Sequence, residues 1–200
     1  MICLCSHSPT RALLLERYGV AFVQRGAVFD EEKITATDAR AFVYEASKGK
    51  LESAEAAYGL EIPLLSADTV IVAADGSILR KAKESDEARR ILLQQSGADI
   101  SIITSLHFKS KRVFLSDISV TRYRFDPFDS EDMERYLESG VWQGKAGACM
   151  VEGFCKRYIR EVEGLESTAM GLQVESLLPW LELDKQWADS ATKEAVSDAL

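Results

Sequence analysis

The stretch Leu64-Leu65-Ser66-Ala67-Asp68-Thr69-Val70-Ile71-Val72-Ala73 decides the fold. It is an apolar, partly β-branched run of strand length, and Asp75-Gly76 closes it with a turn signal. A buried strand is the expectation. Asp68 and Thr69 interrupt its character, and an ionised Asp in such a strand costs several kcal/mol unless a partner or a metal compensates it.

On the N-terminal side, Ile2 to Cys5 reads as a short buried strand, followed by Ser8 as N-cap and Pro9 at the first helical position. That helix carries Ala12 to Leu15 and stops at Gly19, before a strand expected at Val20 to Val23. Asp30 to Asp38 is polar and reads as a loop. The periodicity then predicts a long helix from about Asp38 to Tyr58, with Phe42, Val43 and Ala46 on one face. On the C-terminal side, Ser85 to Gln95 reads as a helix. Ile100 to Phe108 alternates as a strand and pairs, through a turn at Lys109-Ser110-Lys111, with a second strand reaching about Phe125. A helix at Ser130 to Ser139 follows, then strand-like pieces around Cys149 and Tyr158 and a helix near Glu175 to Leu183. The mixture predicts an α/β fold with one domain over 1–183 and a loosely held tail over 184–200.

Composition narrows the function. The chain has 200 residues, 46% hydrophobic and 28% charged, which suits a soluble globular protein. No apolar run is long enough to span a bilayer, and the start lacks the basic and small-residue features of a signal peptide, so the cytosol is the expected compartment and no membrane partner is expected. The net charge of −8 argues against nucleic-acid binding but leaves a small anionic ligand open. Cys3, Cys5, Cys149 and Cys155 lack the spacing of a thiolate metal site and read as buried thiols.

Five places could carry chemistry. Ser6-His7-Ser8-Pro9-Thr10-Arg11 offers free N–H groups at a helix start, hydroxyls and a guanidinium, which is either an anion pocket or a plainly capped helix. Asp68 suits metal binding or water activation if it opens into a cleft; otherwise backbone N–H groups satisfy it. Lys81, in Arg80-Lys81-Ala82-Lys83, is either a phosphate contact or part of a solvated basic turn. On the long helix Lys50 shares the face of Ala46 while Lys48 points away, and a lysine on an inward face needs an anion or must snorkel out. Gly144 to Ala148 permits close backbone approach, and Glu152 is placed to accept from a base edge or lies on the surface.

In order along the chain these pieces resemble the Maf family of nucleotide pyrophosphatases, also called septum-formation inhibitor proteins. Ser6-x-Ser8-Pro9-x-Arg11 with Leu14, Leu15 and Gly19 is similar to the family's S-x-S-P-R-R-x-x-L-L opening. Asp30-Glu31 matches its acidic pair, Ala67-Asp68-Thr69-Val70 its A-D-T-V strand, and Lys81 the lysine of its G-K-P motif. Tyr136, Lys145 to Ala148 and Gly171-Leu172 follow its later landmarks. The resemblance implies a mixed twisted sheet flanked by helices, with two lobes and a central cleft of the Maf/ITPase-like kind, and often a homodimer. It implies hydrolysis of a nucleoside triphosphate to the monophosphate and pyrophosphate with Mg²⁺ or Mn²⁺. Asp68 would then be the base, Glu31 and Asp68 would hold the metal, and Ser6, Ser8, Arg11, Lys81 and a lysine of the long helix would hold the triphosphate.

The departures matter. Thr10 stands where the family has its first arginine, and Ala82 where G-K-P has proline. Ser96 to Ile100 departs from the family's S-G-x-T-H stretch, and the helix lysine is out of register, leaving Lys48 or Lys50, of which Lys50 has the favoured face. Thr69 resembles the subgroup acting on dTTP and UTP and Glu152 the subgroup acting on 7-methyl-GTP, so Thr10, Thr69 and Glu152 leave base preference open. A nucleotide-binding regulator of cell division without catalysis, and a different phosphohydrolase, are the competing readings.

Overall fold

The computed structural model describes residues 1–197. Strands β1 (Ile2–Leu4), β2 (Phe22–Gln24), β3 (Leu64–Val72), β4 (Ile78–Leu79), β5 (Asp99–Lys109), β6 (Phe114–Phe125) and β7 (Ile159–Glu163) form one sheet. Its order is β2-β1-β3-β5-β6-β7, with β4 also on β3. β1 runs parallel to β2 and β3, whereas the β3–β5, β5–β6, β6–β7 and β3–β4 pairs are antiparallel. Helices α1 (Pro9–Arg17), α2 (Ala39–Tyr58), α3 (Ser85–Gln95), α4 (Ser130–Glu138), α5 (Glu166–Ala169) and α6 (Val174–Ser197) flank it. The expected α/β class with a mixed sheet is what the chain adopts.

Period-two alternation along β3 and β5 gives the sheet two different faces. Leu64 and Val70 pack toward α2, beside Leu51 and Ala54 at one end and Phe42, Val43 and Ala46 at the other. On the opposite face, Leu65, Ala67 and Leu106 join a cluster with Leu14, Leu15, Leu172 and Leu177. Ile71 and Ile102 belong to a second cluster, built with Leu92, Phe125, Tyr136 and Trp142. Between these cores stands the cross-strand pair Thr69–Thr104. Two apolar cores on one sheet face, separated by a polar row, make two lobes with a cleft between them.

The cleft also has an edge. β5 covers one side of β3 over its whole length. On the other side β1 pairs only with Leu64 and Leu65, and β4 only with Ile71 and Val72. From Ala67 to Val70, therefore, no strand lies along that side among the described residues. Ligands of open α/β sheets bind outside the carboxyl ends of strands where the connections part, and here the chain leaves β1 toward β2 but leaves β3, by way of β4, toward β5.

Several expectations shift. The second strand starts two residues late, at Phe22, and the polar loop after Asp30 holds a 3-10 turn at Glu31–Lys33. The piece around Cys149 is not a strand. It is a series of turns with Gly144, Gly147 and even Ala148 at positive φ, pinned by the Tyr136 hydroxyl donating to the Ala148 carbonyl at 3.0 Å. Near Tyr158 a 3-10 turn, Phe154–Tyr158, precedes β7. The final helix does not stop at Leu183 but runs on to Ser197, with Pro179 inside it. Residues 198–200 of the expected tail lie outside the described residues.

Candidate active site

The turn from β1 into α1 builds the first wall. Ser8 caps the helix by accepting from the Arg11 N–H at 3.4 Å, and its own N–H donates to Ser6 Oγ at 3.2 Å. Gln24 of β2 braces the turn by donating to the Ser6 carbonyl at 2.7 Å. Arg11, one turn into the helix, spreads its fork over three oxygens: Nε donates to the Gly171 carbonyl at 2.8 Å, Nη1 to Ser6 Oγ at 3.0 Å and Nη2 to Thr69 Oγ1 at 3.2 Å. All three acceptors are neutral, and no carboxylate lies within 4.0 Å of it among the described residues. Burial lowers the Arg11 pKa, while Asp68 and Glu31 act in the opposite direction. A guanidinium held rigidly by neutral groups keeps most of its charge for an anion.

Gly171 makes that grip possible. Its φ is +99°, and a Cβ there would lie 3.3 Å from Thr69 Oγ1 and 3.4 Å from Arg11 Nε. Thr69 in turn sits 2.9 Å from Thr104 Oγ1, which donates to the Thr168 carbonyl at 2.8 Å. The polar row that parts the two cores thus runs from Arg11 into the sheet.

Asp68 points the other way, toward α2. Lys50 Nζ donates to Asp68 Oδ1 at 2.6 Å and to Glu31 Oε1 at 2.7 Å. Asp68 is 8% exposed. Burial pushes its carboxyl above the usual range, and Lys50 and Arg11 only partly offset this. Glu31 is driven up by its own burial but ends below the usual range because of Lys50, then Lys81 and Arg11. Two carboxylates are thus poised differently beside one ammonium. Asp68 Oδ2 has no hydrogen-bond partner among the described residues. Glu31 is brought in by a close contact: the Phe29 ring lies where a Cβ on Gly49 would be, 2.1 Å from its Cε2. Only glycine at that point of α2 lets the loop before Glu31 come so near.

The cleft has two compartments that meet at Thr69 and Ala146. The smaller, about 210 Å³, holds Asp68, Glu31 and Lys81. Lys81 is exposed, and a single bridge to Ala146 ties its backbone to the far wall. The larger, about 420 Å³, is lined by Ser8, Thr10 and Arg11 on one side and by Gln143, Lys145 and Glu152 on the other.

Arg11, Asp68, Lys50, Glu31, Lys81, Ser8, Thr10, Thr69 and Glu152 are thus drawn to one cleft, with Ser6 as a brace behind it. Lys48 is not: it is half exposed and lies 3.7 Å from Glu52 on the outer face of α2. Sequence reasoning did not single out Gln143 as a wall residue or Gly171 as the acceptor for Arg11. Nothing local marks the first, and only a glycine preceding Leu172 hints at the second.

Among the described residues no cluster of three or more His, Cys, Asp or Glu side chains converges on one point. Asp68 and Glu31, two oxygen donors held against the same ammonium, nevertheless suit a hard divalent cation. Such an ion is held by one or two carboxylates, with substrate oxygens and water completing its shell.

The fold and cleft define a mixed α/β protein with a caged guanidinium on one wall and a buried, lysine-paired Asp on the other. The chain belongs to the Maf-like protein family, whose model matches residues 1–183. A nucleoside triphosphate pyrophosphatase of a Nitratiruptor species is 55% identical over 179 residues, covering 88% of this chain and 96% of that protein. One of Helicobacter pylori (strain G27) is 42% identical over 180 residues, covering 90% and 94%. A dTTP/UTP pyrophosphatase of Hydrogenovibrio crunogenus is 30% identical over 188 residues, covering 94% of each chain.

Proposed function

We propose that this protein is a nucleoside-triphosphate pyrophosphatase that hydrolyses an NTP to NMP and pyrophosphate, a house-cleaning activity on free nucleotides in the cytosol. The observation that carries this reading is Asp68: buried, raised in pKa, tied to Lys50 through one oxygen and, among the described residues, unpaired at the other. A carboxylate in that state is suited to take a proton from water. Membership of the family and the relatives' activity support the same conclusion.

In this reading the phosphates lie along the first turn of α1, where Ser8 and the helix N–H groups meet them and Arg11 faces them. Lys81 approaches from the opposite lobe. Lys50 keeps Asp68 oriented and neutralises part of the combined charge of Asp68 and Glu31. Asp68 accepts a proton from the attacking water as it adds to the α-phosphorus, and pyrophosphate leaves. In-line transfer of this kind is achieved by placement and charge neutralisation, which is what this inventory supplies. A divalent cation held by Asp68 and Glu31 would supply charge neutralisation on the phosphates. The larger compartment takes the base, with Thr10, Thr69 and Glu152 setting the preference. Among the described residues no helix is long and apolar enough to cross a membrane. A homodimer acting on free nucleotide, with no nucleic acid or membrane partner, is the assembly we favour.

The test is pyrophosphate release from a panel of canonical and modified NTPs with Mg²⁺ or Mn²⁺, run beside Asp68→Asn. Release by the native protein, with turnover lost and nucleotide affinity kept in the variant, is expected. Orthophosphate as the product, or turnover near the native level in Asp68→Asn, overturns the reading.

A further inference from the structure

Behind the cleft lies a buried polar cluster that the reaction does not use. His107 of β5 is fully buried, yet both ring nitrogens are engaged. Nδ1 is 3.0 Å from Ser47 Oγ on α2, and Nε2 is 3.1 Å from Ser116 Oγ on β6. Ser47 Oγ also donates to the Val43 carbonyl at 2.7 Å and is 2.9 Å from Ser105 Oγ. Ser66 Oγ of β3 donates to the Ser47 carbonyl at 2.8 Å. Ser47 has one proton and three acceptors in reach, the Val43 and Tyr44 carbonyls and Ser105 Oγ, of which Val43 is the shortest. We assign the proton there, which leaves Ser47 Oγ to accept from Nδ1–H and Nε2 to accept from Ser116.

The placement of the cluster is telling. Ser66, His107 and Ser116 are register partners across three strands, and the next row on the same face begins with Asp68 and Ser105. On α2, Ser47 precedes Lys50 by three residues, close to one turn on the same side. The helix is therefore tied to the sheet by several polar contacts directly beside the point where Lys50 must meet Asp68. Apolar packing by Phe42, Val43 and Ala46 holds α2 down without fixing how far it slides, whereas hydrogen bonds are directional. A core built only for stability could be filled with apolar side chains at this spot, since a buried polar network gains little over a well-packed apolar one.

We propose that His107 is a positioning residue: through Ser47 it sets the register of α2 on the sheet and so aims Lys50 at Asp68. The inference rests on the reading of Asp68 and Lys50 as the working pair of the pyrophosphatase. It assigns His107 no contact with substrate.

Three variants test it: His107→Leu, His107→Asn, whose amide N–H can stand where Nδ1–H stood, and Ser47→Ala, which removes one oxygen and is the least disruptive. Two measurements are made on each. The first is the split of kcat and KM for pyrophosphate release. The second needs no turnover: trace acylation of lysines read by mass spectrometry, with Lys48 on the outer face of the same helix as internal reference for Lys50. Lys50 is 17% exposed and Lys48 49%, so native Lys50 labels more slowly. In the His107→Leu and Ser47→Ala proteins the Lys50:Lys48 ratio is expected to rise and kcat to fall about tenfold or more with KM changed less than about twofold, as misplacement of a reacting group predicts. His107→Asn is expected to restore both. An unchanged ratio in folded Ser47→Ala, a parallel rise at Lys48 and Lys50, or equal damage from His107→Leu and His107→Asn overturns the proposal. Were the native protein to release no pyrophosphate, the functional reading would fail while the labelling ratio still decided the role of His107.

Discussion

Arg11 donates through Nε to the carbonyl of Gly171 at 2.8 Å, joining the first helix to the turn that precedes the last one. The contact needs residue 171 at φ +99°, where an L side chain is strained, and needs no Cβ beside the guanidinium. Gly171→Ala is therefore expected to cost about 1–2 kcal/mol from backbone strain alone. Because the added methyl presses on both Thr69 and Arg11, KM for the nucleotide is expected to rise as well. Thermal melting together with steady-state kinetics checks both; a stable variant with native KM would show that Arg11 does not depend on this support.

Lys50 and Lys48 separate cleanly. Lys50→Met leaves Asp68 and Glu31 facing each other without their shared cation, so kcat is expected to fall by about a hundredfold, in the range of lost electrostatic support at a reacting centre. Lys48→Met removes an exposed 3.7 Å pair with Glu52 and a charge felt by His107, which is neutral at pH 7, and is expected to change stability there by less than about 0.5 kcal/mol and turnover not at all. Equal effects from the two would mean that α2 presents a different face in solution.

Stability should fall in mild acid. Burial, reinforced by Lys48, lowers the His107 pKa from its ordinary 6.5 to about 4. Between those two values the unfolded chain binds a proton at this residue that the folded chain refuses, so unfolding becomes easier as pH drops. The loss from this one group begins near pH 6.5, is complete near pH 4, and is on the order of 3 kcal/mol. Denaturant unfolding of native and His107→Asn proteins across that range measures it: the native curve falls more steeply, and parallel curves would refute the assignment.

Glu152 stands across the larger compartment from Thr10. Glu152→Gln turns a charged acceptor into a neutral group that also donates, so it is expected to reorder rates across a nucleotide panel while leaving the melting temperature within a degree or two of native. Unchanged relative rates would place base recognition elsewhere on that wall.

What could be read from the chain alone follows physical lines. The helices at 85–95 and 130–138 announce themselves by an apolar stripe and an acidic first turn, both local signals. The inward side of Lys50 was legible because a helix has a fixed period, and the odd Asp in β3 because charge in an apolar strand is costly. The wall from Gly144 to Glu152 was not legible as turns. Its shape comes from positive φ at Ala148, from the Tyr136 hydroxyl twelve residues away, and from Gly147 closing on Leu79 and Arg80 carbonyls at 3.1 and 3.2 Å. The Arg11–Gly171 contact spans 160 residues of chain and has no periodic signature. The continuation of α6 to Ser197 was within reach, since neither glycine nor proline follows Leu183 to stop the helix.

The unpaired side of β3 from Ala67 to Val70 has a consequence for how copies of this protein meet. Bare strand edges invite the addition of a foreign strand, the first step toward tangled aggregates. Here the opening is only four residues long, has a charged residue within it, and is bounded by β1 on one side and by β4 on the other. A neighbouring chain would have to bury Asp68 and displace the Lys81–Ala146 bridge to dock there. A short, charged and bounded opening of this kind is a poor template for a foreign strand, so the sheet carries a free edge beside Asp68 with little risk of edge-to-edge pairing.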